Sequence, residues 1–381
     1  MEVMRFTETD TRNMQQALAL ARRGWGMTSP NPLVGCVVVR DGQVVAEGWH
    51  ARYGGDHAEA MALKGLENAE GATLYVTLEP CNHTGKTPPC AELILEKGVR
   101  RVVYALEDPN PVAQGGAARL AAAGIAVSGG LLREEAAAQN EIFIRWVTGQ
   151  RPFVALKYAM TLDGRIAAST GDSRWITGPE ARREVHGLRQ RYSGILAGSG
   201  TVLSDNPELS VRDWEGEKRQ PLRIILDGRG RIPLTAKVFQ NQAAQQTLLV
   251  TSEPLNPSHA RGLRAAGVEI WLGPQRAGRL DLAALLEHLK QRGCDSVLVE
   301  GGAAIHGSFL DQRLADRVYA YIAPKLIGGS GAPGPVGGRG LPWMSLATEL
   351  QQVELAQLGR DVRMTGIPDY QEVEADVHRL G

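Results

Sequence analysis

Apolar residues recur at helical spacing over residues 11–21, and Gly24 follows at a position where helices commonly end. Two runs rich in β-branched residues come next, at residues 33–40 and 43–49. They are joined by Asp41-Gly42, the residue pair that a type I′ hairpin turn favours. The pattern therefore predicts one helix followed by a β-hairpin.

Helical and strand patterns alternate through the rest of the chain, and such alternation predicts α/β layering with helices covering a sheet. In the first half we predict strands at 73–78, 99–106 and 125–127, and helices at 58–66, 91–97, 116–123 and 133–145. In the second half we predict strands at 153–160, 194–198, 222–226, 247–250, 268–272 and 297–299, and helices at 179–191, 258–266, 282–291 and 303–314.

Glycine and proline interrupt both patterns at residues 148–152. A chain of 381 residues is longer than one hydrophobic core usually supports. We therefore predict two domains, at residues 1–150 and 151–381. A second run rich in Gly and Pro, at residues 328–340, is predicted to be a loop.

The charge of the chain is balanced, with 42 Lys and Arg residues against 42 Asp and Glu residues. Proteins that bind nucleic acid generally carry a basic patch, so this balance argues against a nucleic-acid partner. No apolar run reaches the roughly 18 residues of a membrane helix, and the first residues lack a signal-peptide pattern. We therefore expect a cytoplasmic protein that contacts neither nucleic acid nor membrane.

Four residues in the first half have the types and spacing of a catalytic zinc site. His57 and Glu59 open a predicted helix, and Cys81 and Cys90 each follow a proline. One histidine and two cysteines leave the fourth zinc position to water, whose pKa the metal lowers. Attack of the resulting hydroxide on an amino-bearing ring carbon needs a group that protonates the ring nitrogen and the amine that leaves. The carboxylate of Glu59, two residues after His57, is placed to do this. The pattern is that of zinc nucleobase deaminases, except that eight residues separate the cysteines here instead of two.

The same residues could instead be two core thiols and a surface histidine, but the complete set favours a metal. Cys36 and Cys294 have no partner at metal-ligand spacing, and we expect them in the core. The segment between the two candidate ligands, residues 82–89, carries His, Lys and hydroxyl side chains. Such side chains suit a small anion such as phosphate.

Three segments of this half, residues 31–35, 57–60 and 79–90, closely resemble the deaminase domain of the bacterial bifunctional riboflavin biosynthesis deaminase-reductase family. The resemblance implies a cytidine-deaminase-like α/β/α domain with one zinc ion on His57, Cys81 and Cys90, and with Glu59 as proton shuttle. It also implies contacts with the pyrimidine nucleotide from four more residues, Asn31, His50, His83 and Lys86. From the residues alone, Asn31 suits a turn equally well, and His50 and Lys86 suit a solvated surface.

The second half contains three glycine-rich segments of the kind that can bind a dinucleotide diphosphate. Residues 329–334 match G-x-G-x-x-G, but Pro333 cannot begin the required helix and no βαβ unit follows. Residues 197–201 and 300–303 fit better because each follows a predicted strand. The second of these precedes a helix, whose N–H groups can bind an anion.

Residues 157–165, 173–177, 201–207 and 299–302 resemble the reductase domain of the same family. The resemblance implies a dihydrofolate-reductase-like α/β domain with Lys157 near the reacting sugar. It implies NADPH contacts from Ala159, Trp175, Thr201, Asp205, Gly302, Ala303, Ala304, Ile305 and His306. It implies substrate contacts from Ser173, Arg189, Leu209, Arg212 and Glu300.

From the residues alone, several of these positions also suit structural roles. Arg189 suits a solvated helix face and Arg212 a loop charge, although either guanidinium would bind a ribose phosphate well. Trp175 suits a core anchor and Asp205 a plain turn.

The resemblance implies two reactions on a small-molecule nucleotide. The first is zinc-dependent deamination of 2,5-diamino-6-(ribosylamino)pyrimidin-4-one 5′-phosphate. The second is NADPH reduction of its ribosyl group, which gives 5-amino-6-(ribitylamino)uracil 5′-phosphate. The sequence does not identify the group that protonates the sugar oxygen, and we consider Lys157 and Glu300 as the two candidates. The resemblance also implies a homodimer or homotetramer.

Two other functions stay open. A nucleic-acid or free-base deaminase with a C-terminal targeting module is disfavoured by the balanced charge. A binding protein with structural zinc is disfavoured because structural zinc takes four protein ligands rather than three.

Overall fold

The computed structural model describes residues 6–84 and 88–370. The chain divides into two compact units, Met1–Arg151 and Pro152–Gly381. Each unit has hydrophobic core clusters of its own. None of the described helices is long and apolar enough to cross a membrane.

The first unit is a five-stranded sheet covered by helices. Its strands are β1 (Gly35–Arg40), β2 (Gln43–Trp49), β3 (Thr73–Leu78), β4 (Arg101–Leu106) and β5 (Ala126–Gly129). Its helices are α1 (Glu8–Ala21), α2 (Ala58–Leu63), α3 (Cys90–Glu96), α4 (Gly116–Ala122), α5 (Arg133–Gln139) and α6 (Glu141–Thr148). The strand order is β2-β1-β3-β4-β5, in which β3, β4 and β5 are parallel and β1 is antiparallel to both neighbours.

Two glycines let helices lie directly on the two faces of this sheet. A Cβ at Gly35 would lie 2.0 Å from the carbonyl oxygen of Ala17 in α1. A Cβ at Gly48 would lie 2.2 Å from the carbonyl oxygen of Ala58 in α2. Gly48 pairs with Cys36, the neighbour of Gly35, and successive strand residues face opposite ways. Helices α1 and α2 therefore cover opposite faces, and the predicted α/β/α layering is confirmed.

The first hairpin is also confirmed, because Asp41 and Gly42 have φ values of 51° and 77°, the left-handed pair that a type I′ turn requires. The single helix predicted at 133–145 is wrong. It is interrupted at Asn140, which separates α5 from α6. The Asn140 side chain is buried and uses both of its polar atoms on Leu33, accepting from the backbone N–H at 2.8 Å and donating to the carbonyl at 3.0 Å. These long-range hydrogen bonds override the helical pattern.

The second unit is built on a nine-stranded sheet. Its strands are β6 (Phe153–Thr161), β7 (Gly194–Gly198), β8 (Leu222–Leu226), β9 (Thr247–Thr251), β10 (Glu269–Leu272), β13 (Ser296–Val299), β14 (Arg317–Ala323), β15 (Glu349–Leu358) and β16 (Asp361–Asp369); the short pair β11 (Gln275–Arg276) and β12 (Arg279–Leu280) forms a separate ribbon. Its helices are α7 (Pro179–Arg191), α8 (Ser199–Asp205), α9 (Pro257–Ala265), α10 (Leu282–Gln291) and α11 (Ala303–Asp311).

The sheet order is β10-β9-β8-β7-β13-β6-β14-β16-β15. The first seven strands of this order are parallel, and β16 and β15 extend the sheet in antiparallel fashion. The sequence patterns did not predict α8 or the three strands from β14 onwards. Most side chains of β15 are exposed, so this edge strand lacks the buried face that a two-residue period requires. The predicted loop at 328–340 contains no helix or strand, as expected.

Candidate active sites

The three candidate zinc ligands of the first unit converge in space. His57 immediately precedes α2, Cys90 is the first residue of α3, and Cys81 follows the end of β3. The His57 Nδ1 atom lies 3.5 Å from Cys81 Sγ and 3.3 Å from Cys90 Sγ. All three ligand atoms lie within 4.8 Å of one another, and no fourth His, Cys, Asp or Glu joins them among the described residues.

The donor chemistry of this cluster fits zinc. Hydrogen bonds from the Cys90 side chain and from His57 lower the pKa of the Cys81 thiol. The backbone N–H of Cys90 also donates to Cys81 Sγ at 3.4 Å. A thiolate is the form of cysteine that binds metal. Two sulfur atoms and one imidazole nitrogen leave one position open, as a catalytic rather than a structural site does.

Glu59 lies beside the candidate ligands in the first turn of α2, and only 3% of it is exposed. Burial raises the pKa of its carboxyl to about 7, and the negative charge of Cys81 adds to the effect. A carboxyl with a pKa near the working pH can both accept and donate a proton. Its position and its pKa therefore suit the shuttle role that the sequence predicts.

A cavity of about 160 Å³ opens at His57 and Cys81, and Asn31, His50 and His83 also line it. His50 Nδ1 donates to the carbonyl oxygen of Asp56 at 2.8 Å, because a carbonyl can only accept. Burial lowers the pKa of His50, so the ring is neutral and its Nε2 accepts from Asn31 Nδ2 at 3.2 Å. The amide of Asn31 is thereby oriented, and its oxygen stays available to a ligand. Predicted Lys86 lies outside the described residues.

Sequence reasoning missed three further residues of this cavity, Glu79, Asp108 and Asn110. Burial raises the pKa of Asp108 to about 6, and the charges of Glu79 and Cys81 contribute. Glu79 Oε2 accepts from the backbone N–H of Asp108 at 3.3 Å. These residues could have been found from the predicted strand order. The parallel strands β3 and β4 end at the same edge of the sheet, so the residues that follow them meet there.

In the second unit, Lys157, Arg189 and Glu300 form one buried ionic cluster. Lys157 is on β6, and Glu300 directly follows β13, which pairs with β6. Arg189, from α7, donates to Glu300 twice, from Nε at 2.7 Å and from Nη2 at 2.8 Å. Lys157 Nζ lies 3.9 Å from Glu300 Oε2.

Lys157 and Glu300, the two candidate proton donors, differ in how their surroundings shift their pKa values. Burial acts to raise the pKa of Glu300, but the charges of Arg189 and Lys157 outweigh it and lower that pKa to about 2. Glu300 is therefore ionised at neutral pH. Burial lowers the pKa of Lys157, against the opposing effect of Glu300.

The remaining predicted substrate residues of this unit have mixed environments. Arg189 also donates from Nη1 to the carbonyl oxygen of Ser210 at 3.1 Å, which places the segment that follows Leu209 next to the cluster. The Leu209 side chain itself packs in the core, while Arg212 is exposed and pairs with Glu208 at 2.7 Å. Ser173 donates to Asp205 at 3.2 Å.

The predicted cofactor segment lies where two helices begin side by side. Helix α8 starts directly after β7 and α11 starts shortly after β13, and these strands are neighbours. A Cβ at Gly302 would lie 3.5 Å from Thr201 Oγ1, and one at Gly301 would lie 3.1 Å from Ile305. The backbone here lies close to both helix starts, whose N–H groups suit the diphosphate of NADPH.

The other predicted cofactor residues differ in whether their side chains are free to contact NADPH. Trp175 is 63% exposed, which excludes a core anchor, and the Arg182 guanidinium lies 4.6 Å from its ring. Both ring nitrogens of His306 lie against carbonyl oxygens, Nδ1 at 3.0 Å from Pro335 and Nε2 at 3.2 Å from Val299. His306 thus has no ring nitrogen left for a cofactor. Ala159 lies two residues after Lys157 on β6, and Ala303 and Ala304 form the first turn of α11.

Comparison with known proteins matches both units. The cytidine and deoxycytidylate deaminase zinc-binding region matches residues 7–106, and the RibD C-terminal domain matches residues 152–364. The riboflavin biosynthesis protein RibD of Actinobacillus pleuropneumoniae is 44% identical over 93% of this chain and 94% of its own length. That of Escherichia coli is 41% identical over 93% of this chain and 98% of its own length.

Solved structures agree with these relatives. Acinetobacter baumannii RibD superposes with a TM-score of 0.83 at 38% identity, covering 95% of this chain and 99% of its own. The Thermotoga maritima diaminohydroxyphosphoribosylaminopyrimidine deaminase/5-amino-6-(5-phosphoribosylamino)uracil reductase superposes with a TM-score of 0.82 at 40% identity, with the same coverage.

The matches confirm the predicted folds, a cytidine-deaminase-like domain followed by a dihydrofolate-reductase-like domain. The cofactors are zinc in the deaminase domain, with His57, Cys81 and Cys90 as candidate ligands, and NADPH in the reductase domain. The chain belongs to the RibD family, the bifunctional deaminase-reductases of riboflavin biosynthesis.

Proposed function

We propose that residues 1–150 deaminate 2,5-diamino-6-(ribosylamino)pyrimidin-4-one 5′-phosphate. Residues 151–381 then reduce the ribosyl group of the product, giving 5-amino-6-(ribitylamino)uracil 5′-phosphate. The observation that carries the proposal is the buried carboxyl of Glu59 beside the converging atoms of His57, Cys81 and Cys90. The Thermotoga maritima protein named for both reactions supports it.

In the deaminase site, His57, Cys81 and Cys90 would hold zinc, which supplies a water of lowered pKa when bound. Glu59 would accept a proton from the attacking water and pass it to the ring nitrogen as the new C–O bond forms. It would then accept the hydroxyl proton of the adduct and pass it to the amine, so that the C–N bond breaks, ammonia leaves and a carbonyl remains. The Asn31 amide, oriented by His50, binds the pyrimidine edge. His83 lines the cavity, and its buried Nδ1 has no hydrogen-bond partner in the part of the chain that is described. We assign His83, with Lys86, to the substrate phosphate.

In the reductase site, NADPH supplies the hydride to C1′ when bound. Lys157 is the proton donor to the sugar oxygen, because Glu300 carries no proton at neutral pH. Arg189 uses three of its five N–H groups on Glu300 and Ser210, so it holds Glu300 in place and keeps two N–H groups for the ribose phosphate. Arg212, whose side chain is 55% exposed, is the second candidate for that phosphate. Ser173, Glu300 and the backbone of Leu209 complete the assigned substrate contacts.

The test is a coupled assay on zinc-replete protein with the diaminopyrimidine ribosyl phosphate. We expect ammonia release without NADPH, and NADPH oxidation only after deaminated product has formed. Wild-type protein that releases no ammonia from this nucleotide would refute the deaminase assignment. Deaminated product that does not support NADPH oxidation would refute the reductase assignment.

We also infer that the protein acts in the cytoplasm. We infer that it has no nucleic-acid partner, because its charge is balanced. We infer a homodimer or homotetramer with β15 at an interface between copies. This strand is at the edge of the nine-stranded sheet, and Leu355 on it is 66% exposed. The segment before it leaves Trp343 64% and Met344 89% exposed. Exposed apolar edges of this kind commonly mark association surfaces.

Leu355→Glu is expected to shift the protein toward monomer in analytical ultracentrifugation, because a carboxylate would be buried without a partner at the interface. Leu272→Glu is the matched control, since Leu272 is 55% exposed on β10 at the opposite edge of the same sheet. An unchanged sedimentation coefficient for Leu355→Glu, or an equal shift for both variants, would exclude β15 from the interface.

A further inference from the structure

The ammonium group of Lys157 lies against the face of an aromatic ring. Its Nζ is 5.7 Å from the ring centroid of Tyr321. Tyr321 pairs with Ala159, two residues after Lys157, where β14 runs parallel to β6, so the side chains of Lys157 and Tyr321 face the same side of the sheet. The Lys157 side chain is 15% exposed, and Tyr321 is fully buried. An aromatic face within about 6 Å attracts a cation, and the attraction is strongest where both groups are shielded from water.

The charged groups around Lys157 set its charge but do not fix its position. Glu300 Oε2 is 3.9 Å from Nζ, which is beyond hydrogen-bond distance, and Arg189 occupies both Glu300 oxygens at 2.7 and 2.8 Å. Burial lowers the pKa of Lys157, the Arg189 guanidinium lowers it further, and Glu300 opposes both. His306 on α11 also interacts with Lys157, but burial lowers the pKa of His306, so its ring is neutral at neutral pH. The Tyr321 ring therefore limits where Nζ can lie.

The Tyr321 ring is in turn held between a helix and a strand. Glu184 on α7 forms an ion pair with Arg363 on β16, and Arg363 is directly opposite Tyr321 where β16 pairs with β14. Glu184 Oε2 and the Tyr321 hydroxyl are both buried, and neither has a hydrogen-bond partner within residues 6–84 and 88–370. Burial raises the pKa of Tyr321, and the negative charge of Glu184 raises it further, so the hydroxyl keeps its proton and can donate to Oε2. The ion pair is thus placed to fix the hydroxyl end of the ring whose face Lys157 contacts.

Packing alone explains this arrangement less well. A leucine or a phenylalanine in place of Tyr321 would fill the core without a buried hydroxyl that has to be satisfied. A largely buried ion pair such as Glu184 with Arg363 is also often no more stabilising than apolar side chains of similar volume. We propose that Tyr321 is a positioning residue of the reductase site: its ring holds the Lys157 ammonium where it can protonate the sugar oxygen, and Glu184 with Arg363 holds the ring. This inference rests on the proposed role of Lys157 as proton donor.

The test follows NADPH oxidation by the full-length, zinc-replete protein with deaminated product as a function of pH. Tyr321→Leu should lower kcat by roughly 3- to 30-fold, because the attraction that holds the ammonium is lost. The basic limb of the kcat profile should move to lower pH by about 0.5–1.5 units, since the charged form of Lys157 loses its stabilisation by the ring. KM for NADPH should stay unchanged. Tyr321→Phe, which keeps the ring face, should retain the wild-type profile.

Phe309→Leu is the matched control, because it removes another fully buried ring from the same unit. Phe309 packs in one core cluster with Leu156, whose side chain points to the sheet face opposite that of Lys157. Phe309→Leu should therefore leave the pH profile unchanged. Binding of NADP⁺, measured by isothermal titration calorimetry, shows that a variant reductase unit is folded. Tyr321→Met takes the place of Tyr321→Leu if that binding is lost.

The outcomes separate this inference from the function on which it rests. If Tyr321→Leu keeps the wild-type kcat and pH profile, or if Tyr321→Phe shifts the profile as far as Tyr321→Leu does, the ring does not position Lys157. If Tyr321→Leu and Phe309→Leu lower kcat equally at every pH, the role of Tyr321 is structural and the inference is wrong. If Lys157→Ala oxidises NADPH at the wild-type rate, the proposed role of Lys157 fails together with the inference.

Discussion

Glu59→Gln is expected to slow ammonia release by roughly 10²- to 10⁴-fold, the usual contribution of a general acid-base group. Glutamine keeps the size of the side chain and its hydrogen bonding but cannot move a proton. The effect should be on kcat rather than on zinc content, because the candidate ligand atoms belong to His57, Cys81 and Cys90. The measurements are initial rates of ammonia release and zinc content by mass spectrometry.

Two controls define this experiment. Glu92→Gln makes the same change in the first turn of α3, where Glu92 is exposed and pairs with Arg119, and it should leave the rate unchanged. NADPH oxidation by Glu59→Gln with deaminated product should equal that of wild type, since the reductase unit has its own core clusters. A Glu59→Gln variant that releases ammonia at the wild-type rate would remove Glu59 from the chemistry.

The sequence predicted the parts of the deaminase site that are local in the chain. His57 and Glu59 are two residues apart at the start of one helix, so their types and spacing were sufficient to propose their roles. Asp108 and Glu79 are separated by 29 residues and meet only because β3 and β4 are parallel neighbours. No local pattern in the sequence contains that information.

The same limit applies to the partners of Arg189. Its type suited a phosphate, and the sequence offered no way to know that a carboxylate 111 residues away would take its hydrogen bonds. Asn140 is comparable, because its partner Leu33 is 107 residues away and the local pattern favoured an uninterrupted helix. Periodicity identified most elements with a buried face, but it could not identify tertiary partners of single polar side chains.

Arg189→Met is expected to reduce the free energy of unfolding of the reductase unit by about 3–5 kcal/mol, because it leaves the buried Glu300 carboxylate without its main partner. Reductase activity should fall with it, since Glu300 loses its fixed position. The measurement is urea denaturation of the full-length protein at neutral pH. Arg183→Met is the matched control on the same helix, where Arg183 is 63% exposed and pairs with Asp213 at 3.5 Å, and it should change stability by at most about 0.5 kcal/mol.

The stability difference between wild type and Arg189→Met should change with pH in a defined direction. In the wild type the pKa of Glu300 is about 2 against an ordinary 4.5, so its stabilising contribution is complete above pH 4.5 and is lost as the pH falls toward 2. Without Arg189, burial raises the pKa of Glu300, and protonation in acid removes the cost of the buried charge. The stability difference between wild type and Arg189→Met should therefore narrow as the pH is lowered through 4.5. The double variant Arg189→Met with Glu300→Leu should recover part of the lost stability at neutral pH, because Lys157 then lacks its carboxylate partner, and it should not recover reductase activity. If the difference in free energy of unfolding between wild type and Arg189→Met stays constant with pH, Arg189 stabilises the fold by packing rather than by neutralising Glu300.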